Sequence, residues 1–369
     1  MAHMNEQTDT EKQGGETWAA AQAESRALEA ALQNPEQRRH YRMLTGDRPT
    51  GRLHIGHYFG SLRNRVALQQ LGLETFIVIA DYQVLTDREQ GEHIAGFTRE
   101  LCLDYLAAGL DPENYPVHIF VHSQVPELNQ LFVPFLSLVS QRELERNPTT
   151  KDELQHSALE QLTAALLTYP VHQAADILFC HGNVVPVGKD QLPHIELTRS
   201  IARRFNQRYG CTYFPRPVGL LSDTPAIMGL DGSAKMSKSR GNSIELAASA
   251  DEVARNIRRA RTDSERLLSY EPERRPEVAN LLQLAALCSD CPPGQLARQL
   301  GTGGAGALKR LLTERLNAHL EPIRQRRREL EQHMDYIDEV LARGCTIARE
   351  RAAQTMKEVH QLLGTYAVS

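Results

Sequence analysis

The sequence predicts an α/β fold: a Rossmann-like parallel sheet covered by helices, followed by an all-helical domain. Strand-like and helix-like patterns alternate from residue 41 to about 241. The strand-like runs are short, apolar and continuous, as in strands buried on both faces. After about Asn242 strand signals vanish and long helical patterns take over.

In chain order, residues 1–40 form an acidic, Ala/Gln/Glu-rich extension, partly helical or disordered. Thr17 to about Gln33 suits a helix, with Thr17 as cap and Pro35 closing it. The extension carries no recognisable chemistry and is a place for an additional protein partner. Tyr41–Thr45 reads as the first strand, and a helix follows from about Gly56 to Leu71, stopped by Gly72. Thr75–Ala80 is a buried strand, Gly91–Ala108 a helix ending at Gly109, and Val117–Val121 a further strand. Such alternation places ligands at the carboxyl ends of the strands, here the turns after Thr45, Ala80, Val121 and Val187. From Leu308 to Leu363 the pattern is helical, with Pro322 and Gly344 as expected breaks. The division is therefore 1–40 extension, 41–241 catalytic domain and 242–369 helical domain.

Composition narrows the function classes. The 369 residues are 41% hydrophobic and 24% charged, with a formal net charge of -4. That excludes a disordered chain and argues against a protein that coats nucleic acid. No apolar run approaches the roughly 18 to 20 residues of a bilayer span, so the expectation is a cytoplasmic enzyme without a membrane role. Six Cys spread over a long chain fit reduced thiols, and Cys288-x-x-Cys291 lacks the second ligand pair of a structural zinc, so no metal site is expected. Lys is scarce. Only seven of the 42 basic residues are Lys, and four of them, Lys151, Lys189, Lys235 and Lys238, fall between 151 and 238.

Two constellations carry chemistry. Thr45-Gly-Asp-Arg48-Pro49-Thr50-Gly-Arg-Leu-His54-Ile-Gly56-His57 follows a strand and opens a helix, so backbone N–H groups and the helix dipole suit phosphate there. Two His three residues apart can donate to phosphoryl oxygens as charge develops. A glycine-rich turn whose His caps the helix is the bland alternative. The second is Gly232-Ser-Ala-Lys235-Met236-Ser237-Lys238-Ser239-Arg240-Gly241, a loop with two compact cations suited to a triphosphate tail. The Arg runs 255/258/259/261 and 324/326/327/328 are candidate nucleic-acid phosphate contacts, although interleaved Glu equally fits a solvated helix face.

In this order around a parallel-sheet domain, His54-Ile-Gly56-His57 and Lys235-Met-Ser-Lys-Ser239 resemble the two signatures of class I aminoacyl-tRNA synthetases. Between them, Tyr169-Pro-Val-His-Gln173-Ala-Ala-Asp176 and Val187-Gly188-Lys189-Asp190-Gln191 are similar to tryptophanyl-tRNA synthetases, and the resemblance runs from Tyr41 to the C-terminus. It implies attachment of L-tryptophan to tRNA(Trp) by way of a tryptophanyl-adenylate, with ATP, Mg²⁺ bound mainly through phosphates, and a homodimer. It also implies that His54, His57, Lys151, Lys235 and Lys238 act in catalysis. Arg48, Pro49, Thr50, Gly56, His57, Gly188, Lys189, Asp190, Ile227, Met228 and the loop Lys235–Ser239 would border ATP. Asp176 would sit under the indole N–H, Tyr169 and Gln191 would hold the α-ammonium, and Gln83 and Gln173 would line the side-chain pocket.

Several departures accompany these matches. Arg48-Pro49-Thr50 stands where many bacterial relatives have Gln-Pro-Ser, His57 where Asn is frequent, Gln173 where Met is common and Gln83 where His is common. Some relatives ligate an iron–sulfur cluster through four Cys, but position 281 is Leu here, so no cluster is expected. The competing readings are a tyrosyl-tRNA synthetase, a nucleotidyltransferase sharing the first turn, and a tryptophan-binding regulatory paralogue with a partner protein.

Overall fold

Five parallel strands make one sheet: β1 (Arg42–Asp47), β2 (Glu74–Ile79), β3 (Val117–Val121), β4 (Val184–Val187) and β5 (Val218–Leu221), in the order β3-β2-β1-β4-β5. The computed structural model describes residues 2–86, 93–150, 163–222, 227–234, 236–238, 240–289 and 291–365, with side chains from Trp18 onward. The strand order reverses between β1 and β4, the position where ligands settle in open α/β sheets. The longer helices are α1 (Ala2–Gln33), α2 (Ile94–Ala107), α3 (Ala164–Leu178), α4 (Leu192–Arg208), α5 (Ala250–Arg259), α6 (Pro276–Leu287), α7 (Gly304–Glu331) and α8 (Met334–Leu363). No helix among the described residues is long and apolar enough to cross a membrane.

The continuous apolar character of β2 follows from burial on both faces. Phe76 and Val78 enter one core with α3 and α8, while Ile77 and Ile79 enter the other with α2. That second core runs on without interruption through Ile244, Leu246 and Val253 to Leu282, Leu308, Leu312 and Leu316. The predicted boundary at 241/242 is therefore not a gap in packing. The last helix departs further from a separate helical domain, because Ala348, Ala352, Met356 and Val359 of α8 share the core of Phe76 and Phe120.

α7 and α8 correct two expected breaks. Both helices run through, past Pro322 and Gly344, and the chain turns between them instead. At Gly344 the reason is close approach, since a Cβ there would lie 1.9 Å from the Ile119 carbonyl oxygen. α8 thereby covers the open edge of β3, and the Val121 N–H donates to Cys345 Sγ at 3.4 Å. The glycine that reads locally as punctuation is required for this contact.

The extension also differs from expectation. Its helix runs from Ala2 to Gln33, so Thr17 lies inside it rather than at its start. Leu28 and Leu32 are buried with Met43, Val184 and Leu220, and the Leu221 N–H donates to Ser25 Oγ at 2.9 Å. The apolar face of this part of α1 is buried on the chain's own sheet rather than held out to another protein.

Candidate active site

The first turn leaves β1 above a buried charge network. Asp47 accepts from Arg65 Nη1 and from the Tyr105 hydroxyl, both at 2.6 Å. Burial alone would raise the Asp47 carboxyl, but the Arg65 guanidinium outweighs it and holds the group below the usual carboxylate range. Above this base, His54 caps the short helix Ile55–His57. Its Nδ1 accepts from Gly56 N at 3.1 Å, while His57 Nδ1 accepts from His54 N at 3.3 Å. The rings lie face to face but tilted by 31°, with centroids 3.7 Å apart. The capping and functional readings thus coincide, because engaging each Nδ1 places the proton of a neutral ring on Nε2, where it can donate.

The second signature closes onto the first. Lys238 Nζ donates to the Arg52 carbonyl at 2.6 Å and to the Thr50 carbonyl at 3.4 Å. Gly51 makes room, with φ of +119° and an ideal Cβ position only 2.9 Å from that ammonium. Behind the loop, Ile55 N donates to Ile244 O and Leu246 N to Leu53 O, both at 2.9 Å. Asn242, which is buried, accepts from Ser237 N at 2.7 Å and donates to Asp231 and Ser233. Lys151, Lys235 and Ser239 lie outside the described residues.

Two ATP-side expectations change in detail. Met236 is 3% exposed and packs in the core with Leu53 and Ile55, so its side chain anchors the loop. Met228 uses its N–H and its carbonyl on Asn280 of α6, at 3.0 and 3.2 Å, rather than holding both open. Ile227 is likewise buried in that core, whereas Gly188, Lys189 and Asp190 are exposed at the carboxyl end of β4. Arg48 and Thr50 are half-buried in the first turn, and Pro49 is buried.

The amino-acid side lies over β2 and β3. Asp176, 1% exposed on α3, accepts from Gln83 Nε2 at 3.0 Å. His122 Nε2 lies 3.1 Å from Asp176 Oδ1 without hydrogen-bond alignment, so that oxygen has no partner among the described residues. No Arg pairs with Asp176 among them either. Burial pushes the Asp176 carboxyl well above its usual range and His122 well below its own. Gln173 is half-buried on the same helix. Tyr169 bonds His194 Nε2 through its hydroxyl at 2.8 Å, Gln191 Nε2 donates to Asp190 at 3.1 Å, and Thr149 ties the Asp190 carbonyl at 2.7 Å.

Sequence reasoning missed the histidines behind this pocket. His122 stacks on His172 with centroids 4.1 Å apart, and His172 Nε2 donates to Asn129 Oδ1 at 2.6 Å. Only His194 carried a signal, since it lies three residues after Gln191 on one helical face. The second Arg run divides, with Arg326 and Arg328 exposed and Arg324 and Arg327 buried. Arg327, 3% exposed, pairs with Asp104, whose other oxygen accepts Leu53 N–H at 2.6 Å just before His54, while Arg324 is buried against Asn317. These two position the first turn and α7 and are not open to nucleic acid; Arg255, Arg258 and Arg259 on α5 remain exposed.

Comparison with known proteins agrees with this geometry. The family model described as tRNA synthetases class I (W and Y) matches residues 36–348. The tryptophan–tRNA ligase of Clostridium longisporum is 43% identical over 330 residues, covering 87% of this chain and 96% of that protein. The enzyme of the same name from Treponema pallidum is 42% identical over 332 residues, covering 88% and 97%. Among solved structures, the Campylobacter jejuni tryptophanyl-tRNA synthetase complexed with ADP and tryptophan superposes with a TM-score of 0.74 at 32% identity, covering 88% of this chain and 99% of that one. With both signature turns docked at the switch point of the sheet and these relatives matching over most of their length, the chain belongs to the class I tRNA synthetases of the tryptophan and tyrosine type, in the tryptophan–tRNA ligase family.

Proposed function

We propose that the cleft activates L-tryptophan with ATP and passes it to tRNA(Trp) in the cytoplasm, with the residues above in the roles the family motifs assign. The observation that carries the choice of amino acid is Asp176, a buried carboxyl with one oxygen lacking a donor among the described residues. An indole N–H is a donor that satisfies it, and burying such an acceptor without one is costly. Gln83 orients the carboxyl, Gln173 lines the same pocket, and Tyr169 with Gln191 receives the α-ammonium. The tryptophan carboxylate attacks the α-phosphorus of ATP, the bond to the β-phosphate breaks, and pyrophosphate leaves. The terminal adenosine hydroxyl of the tRNA then attacks the activated carbonyl and releases AMP.

Catalysis in this reading is positioning and charge stabilisation. His54 and His57 donate through Nε2, the turn from Arg48 to Gly56 offers backbone donors, and Lys151, Lys235 and Lys238 bear on the leaving pyrophosphate. Mg²⁺ would be held mainly by the nucleotide's own phosphates, whose charge it would neutralise; no cluster of three or more His, Cys, Asp or Glu that would hold a metal by itself occurs among the described residues. Gly188, Lys189, Asp190, Ile227 and Met228 border the adenosine, and the exposed arginines of α5 contact tRNA. A homodimer belongs to the same reading and is checked by mass in solution. The deciding experiment is ATP–pyrophosphate exchange and tRNA charging with tryptophan and with tyrosine. Tryptophan-dependent activity is expected, and exchange with tyrosine alone would overturn the assignment.

A further inference from the structure

We infer that the N-terminal helix α1 is a working part of the ATP subsite, with Trp18 as a positioning residue for Lys189. The Lys189 ammonium lies over the Trp18 indole, 5.1 Å from the ring centroid. α1 ends at Gln33, before the family match begins at residue 36, so nothing in the shared fold requires this contact. The inference rests on the proposed function, because it takes Lys189 as a residue at the nucleotide.

Three features make the contact more than a chance meeting of surface side chains. First, α1 is tethered independently of Trp18. Leu28 and Leu32 are buried, Ser25 holds Leu221 N, and Glu24 bridges Arg199 at 2.8 Å and Arg216 at 2.7 Å. Arg199 lies on α4, the helix that begins directly after Lys189-Asp190-Gln191. The extension therefore grips this unit at two points, once along α4 and once at its opening turn. Second, an aromatic face orients an ammonium without neutralising it. A carboxylate partner would cancel the charge that a nucleotide needs, whereas the indole leaves Lys189 cationic and restricts where its flexible stem can swing. Third, the opening turn is shared between substrates, since Gln191 belongs to the amino-acid side and the Asp190 carbonyl is fixed by Thr149. Ordering Lys189 orders the nucleotide side of a turn already fixed on the other.

Trp18 is the single tryptophan of the chain, so the tryptophan emission reports on the surroundings of this ring, and Lys189→Met isolates the contact. ATP with Mg²⁺, added to the full-length protein without substrate tryptophan, is expected to change that emission as phosphate draws close to the ammonium held over the ring. In Lys189→Met the response should vanish. Trp18→Ala should raise the KM for ATP in pyrophosphate exchange about two- to fivefold, the scale of an exposed cation–π contact, with kcat and the KM for tryptophan unchanged. Trp18→Phe, which keeps a weaker aromatic face, should recover part of the loss. Emission indifferent to ATP, an emission response that persists in Lys189→Met, or a Trp18→Ala enzyme with an unchanged or lower KM for ATP would each overturn the inference. The emission experiment needs no turnover. Loss of tryptophan-dependent exchange in the unaltered enzyme would instead strike the proposed function.

Discussion

On the amino-acid side of the cleft, Asp176, His122 and His194 are at most 1% exposed and are held by helices and strand ends of the core. On the nucleotide side, Lys189 is exposed and Lys238 half-buried, and both sit on turns. The first region selects by desolvation, because a buried acceptor rejects any ligand that leaves it without a donor. The second works with cations that can move as phosphate charge shifts, so it must stay solvated and adjustable. The two regions meet at the turn from Gly188 to Gln191.

The largest expected effect is on the adjustable side. Lys238→Ala removes a charge that in this structure rests on the Arg52 and Thr50 carbonyls and that the proposed reaction needs on pyrophosphate. The kcat for ATP–pyrophosphate exchange should fall by about 100-fold or more, the cost typical of losing a donor aimed at developing charge, with little change in the KM for tryptophan. Unchanged exchange would mean that Lys238 serves only to latch the two signature loops together.

A smaller loss with the opposite signature is expected on the buried side. Asp176→Asn keeps the shape of the side chain but replaces a carboxyl oxygen that can accept the indole N–H with an amide that can present its own donor there, so kcat/KM for tryptophan should fall about 10- to 100-fold, the scale of leaving a buried polar group unsatisfied. The KM for ATP should hold. If instead both substrates weakened together, the two sides would not be separable in the way their burial indicates.

The same contrast explains what could be read in advance. The nucleotide side was legible because its residues are contiguous in sequence: a glycine-rich turn after a strand and a loop with two Lys in a Lys-poor chain. Asp176 stood out as a charge within Ala-Ala-Asp-Ile-Leu. His122 and His172 were not legible, since they come from the end of β3 and from α3 and share no spacing with the motifs. β5 was missed because Val-Gly-Leu-Leu is short and follows Pro217. The charge run containing Arg327 looked like surface, yet that guanidinium is buried against Asp104, a pairing 223 residues apart that only the tertiary fold can specify. The extension looked inert because the value of Trp18 depends on which side chain lies beneath it.

The smallest effect, on stability rather than turnover, tests whether the amino-acid side is as dry as its geometry indicates. Burial depresses the titration of His122 well below its usual range and brings His172 and His194 to about 4. As pH falls below about 6.5, the unfolded chain takes up protons at these rings while the folded pocket refuses them, so stability should drop as pH falls, down to about pH 4 for His172 and His194. Asp176 acts in the opposite sense. Its raised carboxyl binds a proton in the folded state within the same window and so offsets part of the slope. The net expectation is a fall in unfolding free energy between pH 6.5 and 4.5, measured by urea titration at fixed ionic strength. His194→Gln should flatten the fall by about one ring's share. A slope identical in that variant would mean that His194 already titrates in the folded protein, and that water reaches the hydroxyl of Tyr169.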